Sequence, residues 1–462
     1  MRTFFNTPTM SAFTRILRYM PQYKANITLA YPVILAQIGQ VIVQLADSAM
    51  VGHLGSTALA AVSFAGALFT IFLFWGTGLA LGLTPLIGEA YACRRPKIAA
   101  ELFQNALTLY FFIGVLLFGI LYGLSFLLPY MGQEPEVAAL ARPYFLYLAW
   151  SIIPYMIFLA FKQFLEGIGN TRTGMIIVLS ANLLNIFFNY LLIYGKFGFP
   201  EMGTAGAGAA TLISRICMLF FMPIYFISNL SARRYFRFFS RAAHSLARFR
   251  QLFAIGFPIS IQVVLEVLAF ALSSIMMGWI GSNQQAAHQV VISIATFAYM
   301  IQVGIASATT ILISHAFGSA NPRKIRRISV ASCHMALAVS LITMIALILL
   351  RKQLPLMFTN DPIVISIAAQ LFIFAGLYQI SDGLQTILVG ILRGIQDVSV
   401  LMRYAFISYI VINLPVGYLC AFVLGMGAPG LWLGFIFGLS IAAWLYYRRT
   451  RRFFDSQTLH SK

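Results

Sequence analysis

The sequence predicts an all-α integral membrane protein, with twelve transmembrane helices in two pseudo-symmetric six-helix bundles related as a parallel internal repeat. Three observations predict it. Hydrophobic residues make up 60% of the 462 residues and charged residues 9%, too little polar surface to coat a water-soluble fold of this length. Apolar stretches near the roughly 20 residues that cross a bilayer as helix recur twelve times. Finally, "MVGHLGS" at 50–56 returns as "MMGWIGS" at 276–282, 226 residues later.

The apolar stretches span 28–50, 58–82, 106–128, 143–162, 175–194 and 205–229, then 252–279, 286–312, 330–350, 367–391, 402–423 and 429–447. Runs such as "LTLYFFIGVLLFGILYGLSFLL" do not alternate apolar with polar, so they read as helices rather than barrel strands. Residues 1–25 are basic and aromatic but lack a short apolar core with a small-residue cleavage site, and they read as an interfacial segment. The first lobe then covers 26–230, a basic linker 231–250, the second lobe 251–447 and a basic tail 448–462.

Sliding the chain by 226 residues aligns more than the heptapeptide. Pro32 meets Pro258, Thr84 meets Thr310, Ala90 meets Ala316, Pro96 meets Pro322 and Lys97 meets Arg323. With one residue of slippage "LEGIGN" (165–170) meets "LRGIQD" (392–397), and with two the other way "MGTAG" (202–206) meets "MGAPG" (426–430). Six helices per copy is an even number, so both copies enter the membrane from the same side. Two such bundles facing each other enclose a cleft, the general plan of a secondary transporter.

A net charge of +19 raises nucleic acid as a partner, and its distribution removes it. With both termini inside and twelve crossings, 26 of the 31 Lys and Arg fall on the inner side, against Arg142, Lys196, Arg351 and Lys352 outside and Arg215 within a span. The basic excess therefore sets orientation. Cys93, Cys217, Cys333 and Cys420 have neither zinc-site nor disulfide spacing. No P-loop, HExxH or GxSxG occurs. The expectation is a non-enzyme without cofactor, monomeric, in contact with membrane lipid.

Of twelve acidic residues, nine fall in loops or near helix ends and read as solvated, Glu89, Glu101 and Glu166 among them. Asp47, Glu266 and Asp382 lie inside apolar spans, where a charge costs at least about 2.5–3.5 kcal/mol and marks a functional candidate. Gln37, Gln40, Gln44 and Asp47 form one stripe of the first helix. Tyr378, Asp382 and Gln385 form another on the tenth, Gln262 precedes Glu266 by a turn, and the fifth helix offers Asn182, Asn185 and Asn189. Stripes of this kind serve as interhelical glue or line a wet cavity. In the cavity, each acid holds a proton or sodium ion in one state and faces a cationic substrate in the other.

The stretches "YPVILAQIGQVIVQLADSAMVGHLGSTALAA" (31–61), "GFPISIQVVLEVLAF" (256–270) and "LYQISDGLQTILVGILRGIQD" (377–397) resemble the multidrug and toxic compound extrusion family, MATE, in its NorM-type branch. The resemblance extends from about residue 25 to 447. It implies an exporter of cationic and aromatic drugs in the bacterial cytoplasmic (inner) membrane, both termini cytoplasmic, driven by inward Na+ or H+. It further implies that Glu266, Asp382 and Tyr378 form a cation site in the second lobe, and that Asp47, Asn185, Asn189 and Thr211 form an acidic site in the first. A flippase for a lipid-linked precursor or polysaccharide is the alternative of related architecture, and an intramembrane acid–base enzyme would leave the duplication unexplained.

Overall fold

The computed structural model describes residues 12–240 and 243–459, and twelve helices in it are long and apolar enough to cross a membrane. In the first lobe they are α1 (Ala12–Gly52), α2 (Ser56–Ala92), α3 (Pro96–Ser125), α4 (Pro135–Gly167), α5 (Thr171–Tyr194) and α6 (Thr204–Ser228). In the second they are α7 (Leu246–Ile280), α8 (Ser282–Gly318), α9 (Pro322–Leu349), α10 (Pro362–Gly394), α11 (Ser399–Val423) and α12 (Ala428–Leu459). Pro occupies the first turn of α3, α4, α9 and α10, where its missing N–H costs nothing and its fixed φ suits helix entry. Asn170 and Asn321 cap α5 and α9 by accepting from the amides of Thr173 and Lys324.

The helices outrun the apolar stretches because hydropathy marks where lipid ends, not where a helix must stop. Residues 12–25, expected as a separate interfacial segment, are the opening turns of α1, while residues 1–11 lie outside the described residues. Of the expected tail 448–462, the part to Leu459 continues α12, which meets no Gly or Pro after Gly438. Of the expected loop 231–250, residues 231–238 are short helical turns docked on the first lobe and residues 246–250 already belong to α7. Gln104 bonds Ser240 and His244, Asn105 holds Ala243 and Ser245, and Arg248 pairs with Glu101 at 3.1 Å. Glu101 is therefore paired, and Glu166 is buried beside Lys162 at 3.3 Å; neither is a freely solvated charge.

Within each lobe the fourth helix is central: α4 packs on α2, α3 and α6, and its repeat mate α10 packs on α8, α9 and α12. The first helix of each lobe reaches across to the other, α1 against α8 and α7 against α2. These crossings depend on small residues. A Cβ on Gly78 would stand 2.6 Å from the Ser260 backbone, and one on Gly82 2.7 Å from Gly256. Across the pseudo-twofold the mate of Gly78–Ser260 is Gly304–Ile34, where the same test places a Cβ 3.1 Å from the Ile34 nitrogen. Lipid offers no hydrophobic force between helices, so such close backbone approach provides the dispersion that joins the lobes.

The polar contacts between lobes follow the same pattern. Asn26 donates to Thr309 (2.9 Å) and Ser332 (3.2 Å), Ser260 to the Trp75 carbonyl, Cys93 to the Gly318 carbonyl (3.0 Å), His315 to the Gly167 carbonyl (2.8 Å) and Gln396 to Glu89 (2.5 Å). All of these lie in the helix halves nearest the linker and the chain ends.

Replacing Gly256 by Ala drives a methyl into the Leu79 carbonyl and is expected to cost about 1–3 kcal/mol, read as a lower melting temperature of the detergent-solubilised protein. Gly119→Ala, where nothing lies within 4 Å of the added Cβ, is expected to leave it unchanged.

Candidate functional site

In the second lobe, helices α7, α8, α10 and α11 bring polar side chains together inside apolar surroundings. Glu266, half-buried on α7, accepts from Gln262 one turn earlier (3.0 Å) and from the Tyr299 hydroxyl of α8 (3.1 Å). The other end of the Gln262 amide accepts from the Arg393 guanidinium at 2.7 Å. A relay Glu266–Gln262–Arg393 thus sets a cation two side chains from the carboxylate. Arg393 occupies the last turn of α10 and reaches inward, so Arg215 is not the sole basic group at membrane depth.

On α10, Asp382 is fully buried and neither carboxyl oxygen has a hydrogen-bond partner among the described residues. Tyr378, one turn before it, is buried in a nest of rings formed by Phe270, Trp432 and Phe435, with centroids 5.8–6.4 Å away. Gln385, buried on the same helix, accepts from the Tyr409 hydroxyl at 3.0 Å. Tyr409 lies in a π-helical stretch of α11, Phe406–Asn413, an irregularity that re-aims side chains and recurs at functional sites.

The first lobe builds a different network. Asn189 donates to Asp47 and to Asn185 (3.1 Å), Asn185 to Thr211 (3.4 Å), and Thr211 to the Ala207 carbonyl (3.1 Å). Asp47, Asn185, Asn189 and Thr211 are therefore brought together, joining α1, α5 and α6. The α1 stripe is not. Gln40 is half-buried and Gln44 exposed, and the chain of bonds from Asp47 runs through α5 instead of along α1. Gln37 points to the second lobe, 3.8 Å from the Met300 sulfur. Arg215 on α6 donates to Ser151 at 2.8 Å and lies over the rings of Tyr155 (4.7 Å) and Phe69 (5.1 Å).

Arg393, Tyr299 and Tyr409 were absent from the residues picked out in the sequence. Arg393 follows an apolar run directly and reads as its inner boundary, and nothing separates Tyr299 or Tyr409 from the other tyrosines of the chain. Among the described residues no three or more His, Cys, Asp or Glu side chains gather as metal ligands, and all four cysteines are free. The donors are single carboxyls with amide and hydroxyl oxygens, a hard set.

Twelve apolar helices in two repeated lobes, each with its own carboxyl-centred network, define a polytopic membrane protein of transporter architecture. The MatE family model matches twice, at residues 32–191 and 258–419, with starts 226 residues apart. Multidrug resistance protein NorM of Photobacterium profundum is 32% identical over 438 residues, covering 94% of this chain and 96% of its own. NorM of Vibrio cholerae is 32% identical over 444 residues, with coverage of 94% and 96%. The chain belongs to the MatE family. Among solved structures, an outward-facing multidrug resistance MATE family transporter superposes with a TM-score of 0.85 at 20% identity, covering 94% of this chain and 96% of that one. A eukaryotic MATE transporter gives 0.82 at 21%, with the same coverage.

The relay makes a measurable demand. Gln262→Leu strands both Glu266 and Arg393 and is expected to cost about 1–3 kcal/mol of stability, whereas Gln44→Leu on the exposed face is expected to stay within about 0.5 kcal/mol of wild type. Thermal unfolding of the two purified variants separates them.

Proposed function

We propose that this protein is a multidrug antiporter of the inner membrane, exporting cationic and aromatic compounds in exchange for Na+ or H+ by alternating access between its lobes. The observation that carries the reading is the set of carboxyls inside apolar helices, half-buried Asp47 in one lobe and half-buried Glu266 with fully buried Asp382 in the other, with lobes bonded to each other near the chain ends and linker. The curated relatives named above support the drug-export part.

With the termini and linker on the cytoplasmic side, as the basic residues demand, the joined side is cytoplasmic and the cleft opens outward. In that state the carboxyls are reached from outside and take up the coupling ion. Neutralising them removes the cost of a buried charge and the attraction for a cationic substrate together, so ion entry and drug release are linked. After the lobes rock the other way, ion loss to the cytoplasm restores the negative charge and the next cation is drawn in. Tyr378 and its ring neighbours supply π faces for flat cations. One elementary charge crossing 100 mV is worth ~2.3 kcal/mol, enough at about 1.4 kcal/mol per decade for a roughly 40-fold gradient of an uncharged compound.

Ethidium efflux from proteoliposomes, with sodium and pH gradients imposed separately, tests the reading. Wild type is expected to respond to at least one gradient, and Asp382→Asn or Glu266→Gln to fall to the level of protein-free liposomes while still inserting. Gradient-driven efflux unimpaired in both variants overturns the coupling role.

A further inference from the structure

The turns that close α4 and α10 are repeat mates and are built alike. After α4 the Gly169 amide donates to the Glu166 carbonyl (2.9 Å) and the Asn170 amide to the Leu165 carbonyl (2.8 Å). After α10 the Gln396 amide donates to Arg393 (3.0 Å) and the Asp397 amide to Leu392 (2.9 Å). A helix stop of this form puts one residue in the left-handed region, where glycine is the default. Gly169 takes that place with φ 88°, but its mate Gln396 takes it with φ 61° and a side chain.

That side chain crosses between the lobes. The Gln396 amide donates to the Glu89 carboxylate at the end of α2 (2.5 Å). Glu89 has His315 as its mate at the 226-residue offset, and His315 makes the corresponding contact the other way, from the end of α8 to the Gly167 carbonyl (2.8 Å). Between the two contacts the Cys93 thiol donates to the Gly318 carbonyl (3.0 Å), and a Cβ on Gly318 would stand 2.6 Å from the Glu89 carbonyl oxygen.

Each turn is also anchored within its own lobe by the last helix. Asn170 donates to the Tyr225 hydroxyl of α6 (2.9 Å), whereas Asp397 accepts from Nε (2.6 Å) and Nη2 (3.1 Å) of Arg449 on α12. Tyr225 and Arg449 are mates as well, at the 224-residue offset that aligns "MGTAG" with "MGAPG". One plan of last helix, turn and opposite lobe therefore occurs twice. The first-lobe copy rests on a glycine and a neutral anchor; the second-lobe copy has neither and rests on the two-pronged charged contact of Arg449.

Resting on the antiport reading above, we propose that Arg449 and Asp397 are positioning residues of the transport cycle: they hold the turn after α10 so that Gln396 clasps Glu89, and this clasp keeps the lobes joined on the inner side. The pair is bonded to none of the three membrane carboxyls, so its loss shifts the balance between the two facings.

The test is the rate at which a membrane-impermeant maleimide labels the native Cys93 in inside-out vesicles, read on the Cys93 peptide by mass spectrometry, beside ethidium efflux from proteoliposomes. Arg449→Ala and Gln396→Gly are each expected to speed labelling roughly threefold, the scale of a partly exposed ion pair, and to slow efflux. Gln396→Gly is expected at the same time to leave the melting temperature equal or higher, because glycine suits the left-handed backbone. A gate that loosens while the fold does not is what a purely structural role would not produce. Arg449→Ala combined with Gln396→Gly is expected to label no faster than either alone, since Arg449 acts through Gln396. Unchanged labelling in Gln396→Gly, or a combined variant that labels faster than both singles, overturns the proposal. Wild type that moves no ethidium under either gradient counts against the antiport reading and not against the clasp, which the labelling decides.

Discussion

A carboxyl shut away from water with nothing to bond it is the constraint around which the second lobe is organised. Asp382 has zero exposure and two unpartnered oxygens, and at membrane depth a bare charge costs at least about 2.5–3.5 kcal/mol. The group is tolerable only if neutral or beside a cation. Glu266, bonded by Gln262 and Tyr299 with Arg393 beyond, is under less tension. Asp47 is bonded by Asn189 and only half-buried. The three acids are thus graded by how completely protein groups answer them.

Each lobe is fastened internally around a central helix, α4 or α10, whereas the lobes touch through a seam of glycine and small polar residues on the linker side. The bonds of this seam, such as Asn26 to Thr309 and His315 to the Gly167 carbonyl, join side chains to partners on the other lobe and can be exchanged for water. Aromatic and amide contacts tie the linker to the first lobe.

The sequence disclosed the parts of this arrangement that depend on periodicity and on rarity. Twelve helices, the repeat and the three buried acids were legible because apolar runs and isolated carboxyls stand out at any alignment of the helices. The Asn185, Asn189 and Thr211 grouping came with the family resemblance, and the structure assembles it around Asp47. Three things were hidden for definite reasons. A stripe shows that residues share a face but not what the face meets: Gln37 meets Met300 of the second lobe, while Asp47 is bonded from α5. Hydropathy ends a span at the first charge, which set Arg393 outside although its side chain folds back to Gln262. The partners of Glu266 and Gln385, Tyr299 and Tyr409, come from other helices, one of them through a π-helical turn that no helical periodicity would place.

The repeat itself explains why the lobes are chemically unlike. With the 226-residue offset Glu266 corresponds to Gln40, and with the 227-residue offset of the fourth and tenth helices Asp382 corresponds to Tyr155, Tyr378 to Ser151 and Arg393 to Glu166. Glycines at helix crossings are held by steric demand, since a side chain there meets backbone. Ionisable positions are under no such demand, and the two copies differ at each of these four, with charge reversed at Arg393 and Glu166. Where the second lobe holds an acid, the first lobe sets the Arg215 guanidinium over Tyr155 and bonds it to Ser151. Where the second ends its tenth helix on Arg393, the first has Glu166, answered by Lys162. The first lobe's own acid, Asp47, lies nearer the opposite end of its helix. A duplicated scaffold has in this way become a chemically unequal one, its two halves sharing one backbone plan.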